Sequence, residues 1–490
     1  MIKTLLHWLT TPRLLVSILF IAIFTMAVRV PADTDTWWHL RSGQYIVENR
    51  VIPTTDPFSH THQGQLWMYP KLGQVFWYGL FALGGWTGLS LGLALLVTTA
   101  FALVWPATPG NLYIRVFTIL LGVIVSALTW VARPQMISFV LAGLTLLLLE
   151  KYKRAGSRLI YLLPLIVILW ANMHGGYAIA FMLVGVYLIG EILNQVTRHS
   201  DDPVLSWRQI GILLVVAIVS FMVVALNPHG WQMWLYPFRT VGIGALRDFI
   251  QEWRSPDFHA PMTWPFVVML LLTIVAIGYT SRRVDWTDLT LVSLWMGWSL
   301  FAVRNIGLYG LLTMPVLARY GDAAVGNYLP VSGKLLLSKR LVFAYFNWLL
   351  LAVIVLAALV RIGSTLLPLS MTEPPQDNLP ARAVQFIQDN RPPGPLFNSY
   401  NWGGYLIFKL WPDYPVYIDG RSDLYEDDFM RRYIRVIVAD EGWEQILDED
   451  GINLIFIETS SVLAKFLKFH PGWQELYRDD LAVIYARKSI

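Results

Sequence analysis

Cysteine is absent from the 490-residue chain, so disulfide bonds, thiolate nucleophiles and cysteine-ligated metal sites are excluded. Charged residues are also scarce, because Asp, Glu, Lys and Arg make up only 14% of the sequence, whereas soluble domains hold roughly a quarter. The formal net charge of +4 is small for this length, and no basic stripe alternates with aromatic residues. The composition therefore predicts that the chain has no nucleic-acid partner.

Hydrophobic residues make up 56% of the chain, and apolar runs of about 18 or more residues predict membrane-spanning helices. The spans are predicted near 14–30, 87–106, 112–131, 135–150, 158–171, 176–194, 209–226, 262–279, 287–303, 305–320 and 341–361. No small-residue cleavage site follows the first run, which is interpreted as a retained anchor. The sequence thus predicts a polytopic α-helical membrane protein with about eleven transmembrane helices in the lipid bilayer.

Lysine and arginine concentrate in alternate junctions between these spans. If the N-terminus is cytoplasmic, the cytoplasmic junctions carry Lys151, Lys153, Arg154, Arg158, Arg198, Arg208, Arg282, Arg283, Arg319, Lys334, Lys339 and Arg340. Short loops dense in Lys and Arg stay on the cytoplasmic side. The chain is therefore predicted to lie in the plasma (inner) membrane, with its N-terminus in the cytoplasm and everything after Val360 outside.

The exterior part of the chain is predicted to have two long loops and a terminal domain. The loops cover 31–72, where an amphipathic helix is expected, and 227–261, which is rich in aromatic residues. After Leu379 the apolar runs shorten to strand length at Pro415–Asp419, Ile452–Glu458 and Leu481–Arg487, with helical stretches between them. This predicts a transmembrane domain over 1–371, a linker over 372–377 and a small extracytoplasmic α/β domain over 379–490.

Polar residues gather at the exterior junctions. These junctions contain Asp33 to His39, Arg133-Pro134-Gln135, Asn172 to Gly176, Asn227 to Gly230 and Arg304-Asn305. Ionisable groups at a membrane boundary are costly unless they pair or line a wet cavity, so their gathering on one face predicts a site. In the alternative reading, each residue separately reaches to water or caps a helix end.

Two segments at opposite ends of the chain carry a family resemblance. The stretch from Asp35 to Arg41, followed by Tyr45–Asn49 and Asp56-Pro57-Phe58, resembles the first exterior loop of the catalytic subunit of oligosaccharyltransferase. Asn401-Trp402-Gly403-Gly404-Tyr405, followed by Val416 to Arg421, resembles the acceptor motif of that subunit and the strand beyond it. That subunit belongs to the GT-C glycosyltransferases, multispanning enzymes that take sugars from polyprenyl phosphate or pyrophosphate carriers.

The resemblance implies that Asp35 is the catalytic acidic residue of the loop after the first helix. The chain departs from the family at the second exterior junction, where Arg133-Pro134-Gln135 has no carboxylate, and at Arg304-Asn305, where the family has a long loop with a glutamate. These departures put a metal site of the oligosaccharyltransferase kind in doubt and speak against transfer to asparagine. Whether a divalent cation serves as cofactor stays open.

The residues themselves allow a chemical assignment. Sugar transfer needs a base that takes a proton from the acceptor and a cation that stabilises the negative charge of the departing phosphate. The base candidates are Asp35, Asp33 and Asp56; the donor-phosphate candidates are Arg133, Arg304, His174, His229 and His39; the acceptor-binding candidates are Trp402, Tyr405, Asp419 and Arg421. Each has a structural alternative, such as helix capping for the aspartates or an Asp-Gly turn with a paired arginine for the last two.

Three functions remain open at this point. The first is a membrane glycosyltransferase that moves a sugar from a polyprenyl-phosphate-linked donor to an extracytoplasmic glycan, lipid or protein acceptor. The second is a transporter or flippase for lipid-linked glycans, which would favour ionisable groups near the bilayer midplane. The third is a non-catalytic assembly or binding protein with a GT-C-like fold. Convergence of Asp33, Asp35, Arg133, His174, His229 and Arg304 around one cavity is expected for the enzyme.

Overall fold

The computed structural model describes residues 8–244, 250–326, 341–371 and 378–488. Most of them are helical. The α-helices are Thr11–Ala27, Thr36–Asn49, Leu72–Val104, Leu112–Ser126, Gln135–Ala155, Leu163–Met173, Ala178–Thr197, Trp207–Val223, Tyr236–Gly242, Trp264–Tyr279, Trp286–Phe301, Ile306–Leu312, Met314–Gly326, Leu341–Met371, Ala381–Asn390, Gly403–Leu410, Ser422–Ile437, Trp443–Glu449 and Val462–Leu467. Short 3-10 turns are Trp105–Ala107, Ala127–Thr129, Arg158–Leu162, Gly175–Tyr177, Val224–Leu226, Gly230–Trp234, Gln251–Trp253, Pro261–Thr263, Val303–Asn305 and Tyr400–Trp402. The predicted linker at 372–377 and the basic residues Lys334, Lys339 and Arg340 lie outside the described residues.

The described part of the chain contains seven helices that are long and apolar enough to cross a membrane. They are Leu72–Ala107, Leu112–Thr129, Gln135–Ala155, Gly175–Thr197, Trp207–Leu226, Pro261–Tyr279 and Ala344–Met371. Two predicted spans coincide with the shorter apolar helices Thr11–Ala27 and Arg158–Met173. The remaining two coincide with Trp286–Phe301 and with the pair Ile306–Leu312 and Met314–Gly326. The membrane character is therefore confirmed, and the count of eleven spans stays a prediction.

The helix Leu72–Val104 is two helices joined by a sharp bend at Gly84 and Gly85. Gly85 has φ +57°, a left-handed conformation that glycine adopts without steric cost. A Cβ on Gly88 would overlap the carbonyl oxygen of Leu80, so the two halves fold back against each other. The half after the bend matches the predicted span 87–106, and the half before it packs on helix Thr36–Asn49, where a Cβ on Gly43 would overlap the Gln74 carbonyl oxygen.

Buried charges lie at both ends of the helix Gln135–Ala155. Arg133 precedes this 21-residue helix and Lys153 lies near its end, so the two are separated by about 30 Å. Lys153 Nζ contacts Glu191 and, at 2.8 Å, Asp285, which joins three helices in one ion network. A neighbouring group joins Arg319 to Asp288 and Glu150. The basic junctions and the polar junctions predicted on opposite sides thus occupy opposite ends of the helical bundle.

The chain after Leu379 contains a four-stranded sheet. Its strands are β1 Leu396–Asn398, β2 Leu454–Glu458, β3 Trp473–Arg478 and β4 Ala482–Arg487, in the order β1-β2-β4-β3. Strand β1 pairs parallel with β2, with Leu396 opposite Leu454; β2 with β4 and β4 with β3 pair antiparallel. The predicted strands at 452–458 and 481–487 are confirmed as β2 and β4, whereas β1 and β3 were not predicted.

The predicted strand Pro415–Asp419 is wrong. This buried apolar run is extended, but it forms only a single bridge, between Val416 and Ser59 of the first exterior segment. The next backbone groups of this run are hydrogen-bonded to the side chain of Asn398. Its Oδ1 accepts the Tyr417 N–H at 2.8 Å, and its Nδ2 donates to the Ile418 carbonyl at 2.8 Å. Side-chain hydrogen bonds thus satisfy the backbone that a neighbouring strand would otherwise pair with.

The C-terminal segment packs on the first exterior segment. Helix Gly403–Leu410 contacts helix Thr36–Asn49, and Tyr405 meets Trp37 edge-on with ring centroids 4.9 Å apart. The indole N–H of Trp411 donates to the Pro57 carbonyl at 2.9 Å. These contacts place the C-terminal segment directly over the loop that carries the predicted catalytic aspartate.

Candidate active site

Arg133 connects two aspartates of the first exterior segment. Its Nη1 lies 2.6 Å from Asp35 Oδ2, and its Nη2 lies 2.7 Å from Asp33 Oδ2. The three side chains are mostly buried but not sealed, with 15% to 23% of each side chain exposed. Residues about 100 positions apart in the sequence therefore form one ionic cluster that is open to solvent.

Local backbone structure positions these groups. Asp33 and Asp35 precede helix Thr36–Asn49, and Asp33 Oδ1 accepts the Asp35 N–H at 2.9 Å. Asp35 occupies the N-cap position, yet its carboxylate makes no capping hydrogen bond. The capping alternative therefore does not hold for Asp35, whose carboxylate faces Arg133.

A third carboxylate joins the cluster from the second exterior segment. Glu252 lies in the turn Gln251–Trp253, with Oε2 3.5 Å from Arg133 Nη2 and Oε1 3.9 Å from Arg304 Nη1. The guanidinium of Arg304 lies over the ring of Trp253, 4.2 Å from its centroid, and its side chain is 30% exposed. Glu252 thus links the two arginines that the sequence assigned to phosphate binding.

The electrostatic surroundings shift the pKa values of Asp35 and Glu252 in opposite directions. Burial raises the pKa of Asp35 to about 7; Arg133 opposes this rise, and the negative charges of Asp33 and Glu252 add to it. For Glu252, burial also raises the pKa, but Arg133 and Arg304 outweigh it and hold the pKa below its usual value. Of these two carboxylates, Asp35 is the one that titrates near neutral pH.

Two of the predicted histidines lie beside the cluster. His174 Nδ1 accepts the Gly176 N–H at 3.0 Å and lies 2.7 Å from Ser138 Oγ, so the proton of the neutral ring is on Nε2. Burial, together with Arg304 and Arg133, lowers the pKa of His174 to about 3. His39 is buried against Trp38, and its Nδ1 has no hydrogen-bond partner among the described residues. Both rings are neutral at physiological pH.

His229 lies apart from these groups. Burial and the charge of Lys71 lower its pKa to about 4. Its loop is anchored by Asn227, which donates to the Ala171 carbonyl at 2.9 Å and accepts the His229 N–H at 3.0 Å. Asp33, Asp35, Arg133 and Arg304 come together with Glu252 in one ionic cluster, and His174 lies beside it. His229 instead faces Lys71, because its anchored loop holds it beside that residue. That these groups line one cavity stays a prediction.

Two glycines of the C-terminal segment touch the aspartate loop. A Cβ on Gly420 would overlap Asp35 Oδ1, and a Cβ on Gly404 would lie 2.8 Å from the Thr34 carbonyl oxygen and 3.1 Å from Trp38. The backbone of the C-terminal segment therefore forms one wall of the site. Only glycine permits this approach at position 420.

Because the sequence predicts Asp35 as the base of sugar transfer, the Gly420→Ala variant is expected to lose about a hundredfold of sugar-transfer turnover, since displacing a reacting group by about 1 Å costs roughly that much. The chain offers a matched control in Gly79→Ala, since a Cβ there meets no atom within 4 Å. Turnover and thermal unfolding of both variants should be measured in parallel. Wild-type turnover in Gly420→Ala would mean that its backbone does not constrain the site.

Arg421, Asp419 and Asp56 form a buried ion network rather than an open surface. Arg421 is fully buried; its Nη1 contacts Asp56, and its Nε and Nη2 lie 2.8 and 2.7 Å from the two carboxylate oxygens of Asp419. Burial raises the pKa of Asp56, but the charge and hydrogen bond of Arg421 outweigh it and keep the pKa below its usual value. Asp419 and Arg421 therefore form the turn with a paired arginine that was the structural alternative to acceptor binding, and Asp56 is enclosed in the same ion network.

Trp402 and Tyr405 are also buried, each with 3% of its surface exposed. Trp402 packs against Phe456 of strand β2 and donates its indole N–H to the Asn378 carbonyl at 2.9 Å. Tyr405 packs against Trp37. Neither ring presents a face to an acceptor, because both hold the C-terminal segment together or against the exterior loop.

Sequence reasoning missed Glu252 and Tyr69. Glu252 stands beside Trp253 in the aromatic-rich loop 227–261, and no feature of the sequence links that loop to Arg133. Tyr69 lies between the rings of His39 and His174, with centroid distances of 5.7 and 6.3 Å. Within the described ranges, no three His, Asp or Glu side chains are grouped to hold a metal ion. The three carboxylates of the cluster instead face the guanidinium of Arg133.

No protein-family profile matches the chain, and no curated protein matches it in sequence. Solved structures do match. The oligosaccharyltransferase AglB from Archaeoglobus fulgidus, in complex with an inhibitory peptide and a dolichol-phosphate, aligns with a TM-score of 0.60 at 12% identity over 97% of this chain and 74% of that one. AglB and the arabinofuranosyltransferase AftD are both GT-C glycosyltransferases.

The arabinofuranosyltransferase AftD from Mycobacteria aligns with a TM-score of 0.53 at 14% identity, over 98% of this chain. The chain has the GT-C fold. The predicted resemblance is thereby confirmed for the fold, which is what likeness at such identity shows. The chain spans 40% of the length of the mycobacterial protein.

Proposed function

We propose that this GT-C protein is a membrane glycosyltransferase that moves a sugar from a polyprenyl-phosphate-linked donor to an acceptor outside the membrane. The observation that carries the proposal is the cluster of Asp33, Asp35, Arg133, Glu252 and Arg304 at one end of the membrane helices. A carboxylate that titrates near neutral pH, in one cluster with the partly exposed Arg304, supplies the two groups that sugar transfer from a phosphate requires.

In this mechanism Asp35 is the general base. Its carboxylate takes the proton of the acceptor hydroxyl or amine while the acceptor atom forms a bond to the anomeric carbon of the sugar. The bond between that carbon and the donor phosphate oxygen breaks, and the phosphate leaves with the electron pair. Arg133 binds both Asp33 and Asp35, so we assign it the task of orienting the base.

Arg304 is the better candidate for gripping the departing phosphate. It is 30% exposed and only loosely paired with Glu252 at 3.9 Å, whereas both terminal nitrogens of Arg133 already contact carboxylates. Guanidinium groups bind phosphate oxygens through two parallel hydrogen bonds. His174 supports this role from beside Arg304, since its Nε2–H is a neutral donor.

The membrane arrangement belongs to the same proposal. We assign residues 1–371 to the transmembrane domain and 379–490 to an extracytoplasmic domain, in the plasma (inner) membrane with the N-terminus in the cytoplasm. The basic junctions around Lys153 and Arg319 at the end opposite Asp35 support this sidedness. Transfer by the full chain in lipid nanodiscs, using radiolabelled polyprenyl-phosphate-linked sugars, tests the function directly.

Transfer is expected to depend on pH through Asp35. A base acts in its deprotonated form, and with a pKa of about 7 the ionised fraction rises from roughly a tenth at pH 6 to roughly nine tenths at pH 8. Turnover should therefore fall about fivefold from pH 7 to pH 6 and about tenfold for each further pH unit, and it should level off above pH 8. Single-turnover rates from pH 5 to 9 measure this. A flat profile, with folding and donor binding unchanged, would contradict the assignment.

A further inference from the structure

A cavity of about 720 Å³ lies between the first exterior segment, helix Tyr236–Gly242 and the start of helix Ser422–Ile437. None of the acceptor residues assigned from sequence lines it. The residues that line it include the acidic Asp423, Glu426 and Asp427 and the basic Arg239. Its volume is typical of a small-molecule site.

The cavity adjoins the ionic cluster on two sides. The ring of Tyr236 contacts Gly175, the residue after His174, and its hydroxyl lies 3.4 Å from Asp423 Oδ2. Asp423 follows three residues after Gly420, the glycine that touches Asp35. The segment from Gly420 to Asp423 therefore runs from the candidate base to the wall of the cavity.

We propose that this cavity binds the acceptor and that the acceptor is a neutral glycan. This inference rests on the proposed function, which leaves glycan, lipid and protein acceptors open. Sugar hydroxyls donate and accept hydrogen bonds at once, so a wall with carboxylate acceptors beside guanidinium and amide donors satisfies them. The ring of Tyr236 and the side chain of Leu424 add an apolar surface for the C–H face of a sugar.

Other ligand classes fit this wall less well. A phosphate would meet three carboxylates, and an acyl chain would leave buried polar groups without hydrogen bonds. A cationic ligand meets only one net negative charge, since Arg239 of the wall and Arg431 behind it offset two of the three carboxylates: Arg431 pairs with Asp427 at 2.8 Å. The arrangement favours many directional hydrogen bonds over one strong charge.

The absence of cysteine from the chain permits a direct test. Thr240 lines the cavity, so maleimide labelling of the Thr240→Cys variant of the full chain in nanodiscs reports on occupancy. An equimolar pool of maltotriose, mannotriose and arabinotriose should slow labelling, whereas spermidine and inorganic phosphate should not. Gln385→Cys, at an exposed position in the C-terminal segment, is the control whose labelling should not change.

Substitutions in the wall should weaken this protection. Adding Asp423→Asn or Glu426→Gln to Thr240→Cys is expected to raise the sugar concentration needed by about tenfold, since each removes a charged hydrogen-bond partner. Asp413→Asn, an exposed control, should leave it unchanged. Protection without sugar transfer by any donor would refute the proposed function alone. Transfer without protection, or protection by spermidine or phosphate alone, would overturn the glycan proposal.

Discussion

The Asp35→Asn variant is expected to lose sugar transfer by about a hundred- to ten-thousand-fold while it folds and binds the donor like the wild type. The amide keeps the size of the carboxylate and still accepts a hydrogen bond from Arg133, but it does not take the acceptor proton. Single-turnover transfer of a radiolabelled polyprenyl-phosphate-linked sugar, combined with donor binding and thermal unfolding, separates the chemical step from the other two.

Substitutions of two other aspartates serve as comparisons for this experiment. Asp413→Asn changes an exposed aspartate and should alter nothing. Asp56→Asn should lower thermal stability instead, because it leaves the buried charge of Arg421 with one partner fewer. Full activity in Asp35→Asn would remove this residue as the base and direct attention to Asp33. If Asp33→Asn were also fully active, the non-catalytic binding protein would become the better interpretation.

The helices were predictable because membrane spans follow from long apolar runs, a signal that needs no knowledge of tertiary contacts. The bend at Gly84 and Gly85 was not, since a run of apolar residues continues through it and only the backbone conformation separates the two halves. The same limit applies to Pro415–Asp419. Its apolar pattern indicates a buried extended segment, but only the position of Asn398 decides that no strand pairs there.

The candidate site was predictable where chemistry and membrane physics coincide. The junctions on one side of the predicted membrane domain carry Asp33, Asp35, Arg133 and Arg304. Because an unpaired charge at a membrane boundary costs free energy, these groups are expected to pair with one another. The acceptor residues were assigned from a motif, which does not tell a buried ion pair from an open one. Arg421 is fully buried and saturated by carboxylates, a fact set by the packing of two distant segments.

The position of Glu252 in the site was not predictable from its place in the sequence. The sequence lacks a carboxylate at Arg133-Pro134-Gln135, and that absence was taken as a departure from the family pattern. In the fold, a loop more than 100 residues later brings Glu252 to within 3.5 Å of Arg133 Nη2. Position along the chain was therefore a poor guide to the composition of the site, because exterior loops of a helical bundle meet irrespective of their order.

Arg304→Ala is expected to weaken both donor binding and turnover, by about a hundred- to a thousandfold in kcat/KM. A cation that grips a phosphate binds it in the ground state and more strongly as charge develops on the departing oxygen. The loss should therefore appear in KM and in kcat, unlike the loss in Asp35→Asn, which is confined to kcat. Binding of the polyprenyl phosphate itself, without sugar, measures the ground-state part separately.

Two variants make the assignment specific. Arg382→Ala removes an arginine that is 73% exposed on the C-terminal segment and should have no effect on transfer. Arg304→Lys keeps the positive charge but not the paired geometry, so it should recover part of the binding and little of the turnover. If Arg304→Ala bound the polyprenyl phosphate like the wild type and lost only turnover, the phosphate grip would belong to another group. Arg133 would then be the remaining cation of the cluster, and its bonds to Asp33 and Asp35 would have to open when the donor binds.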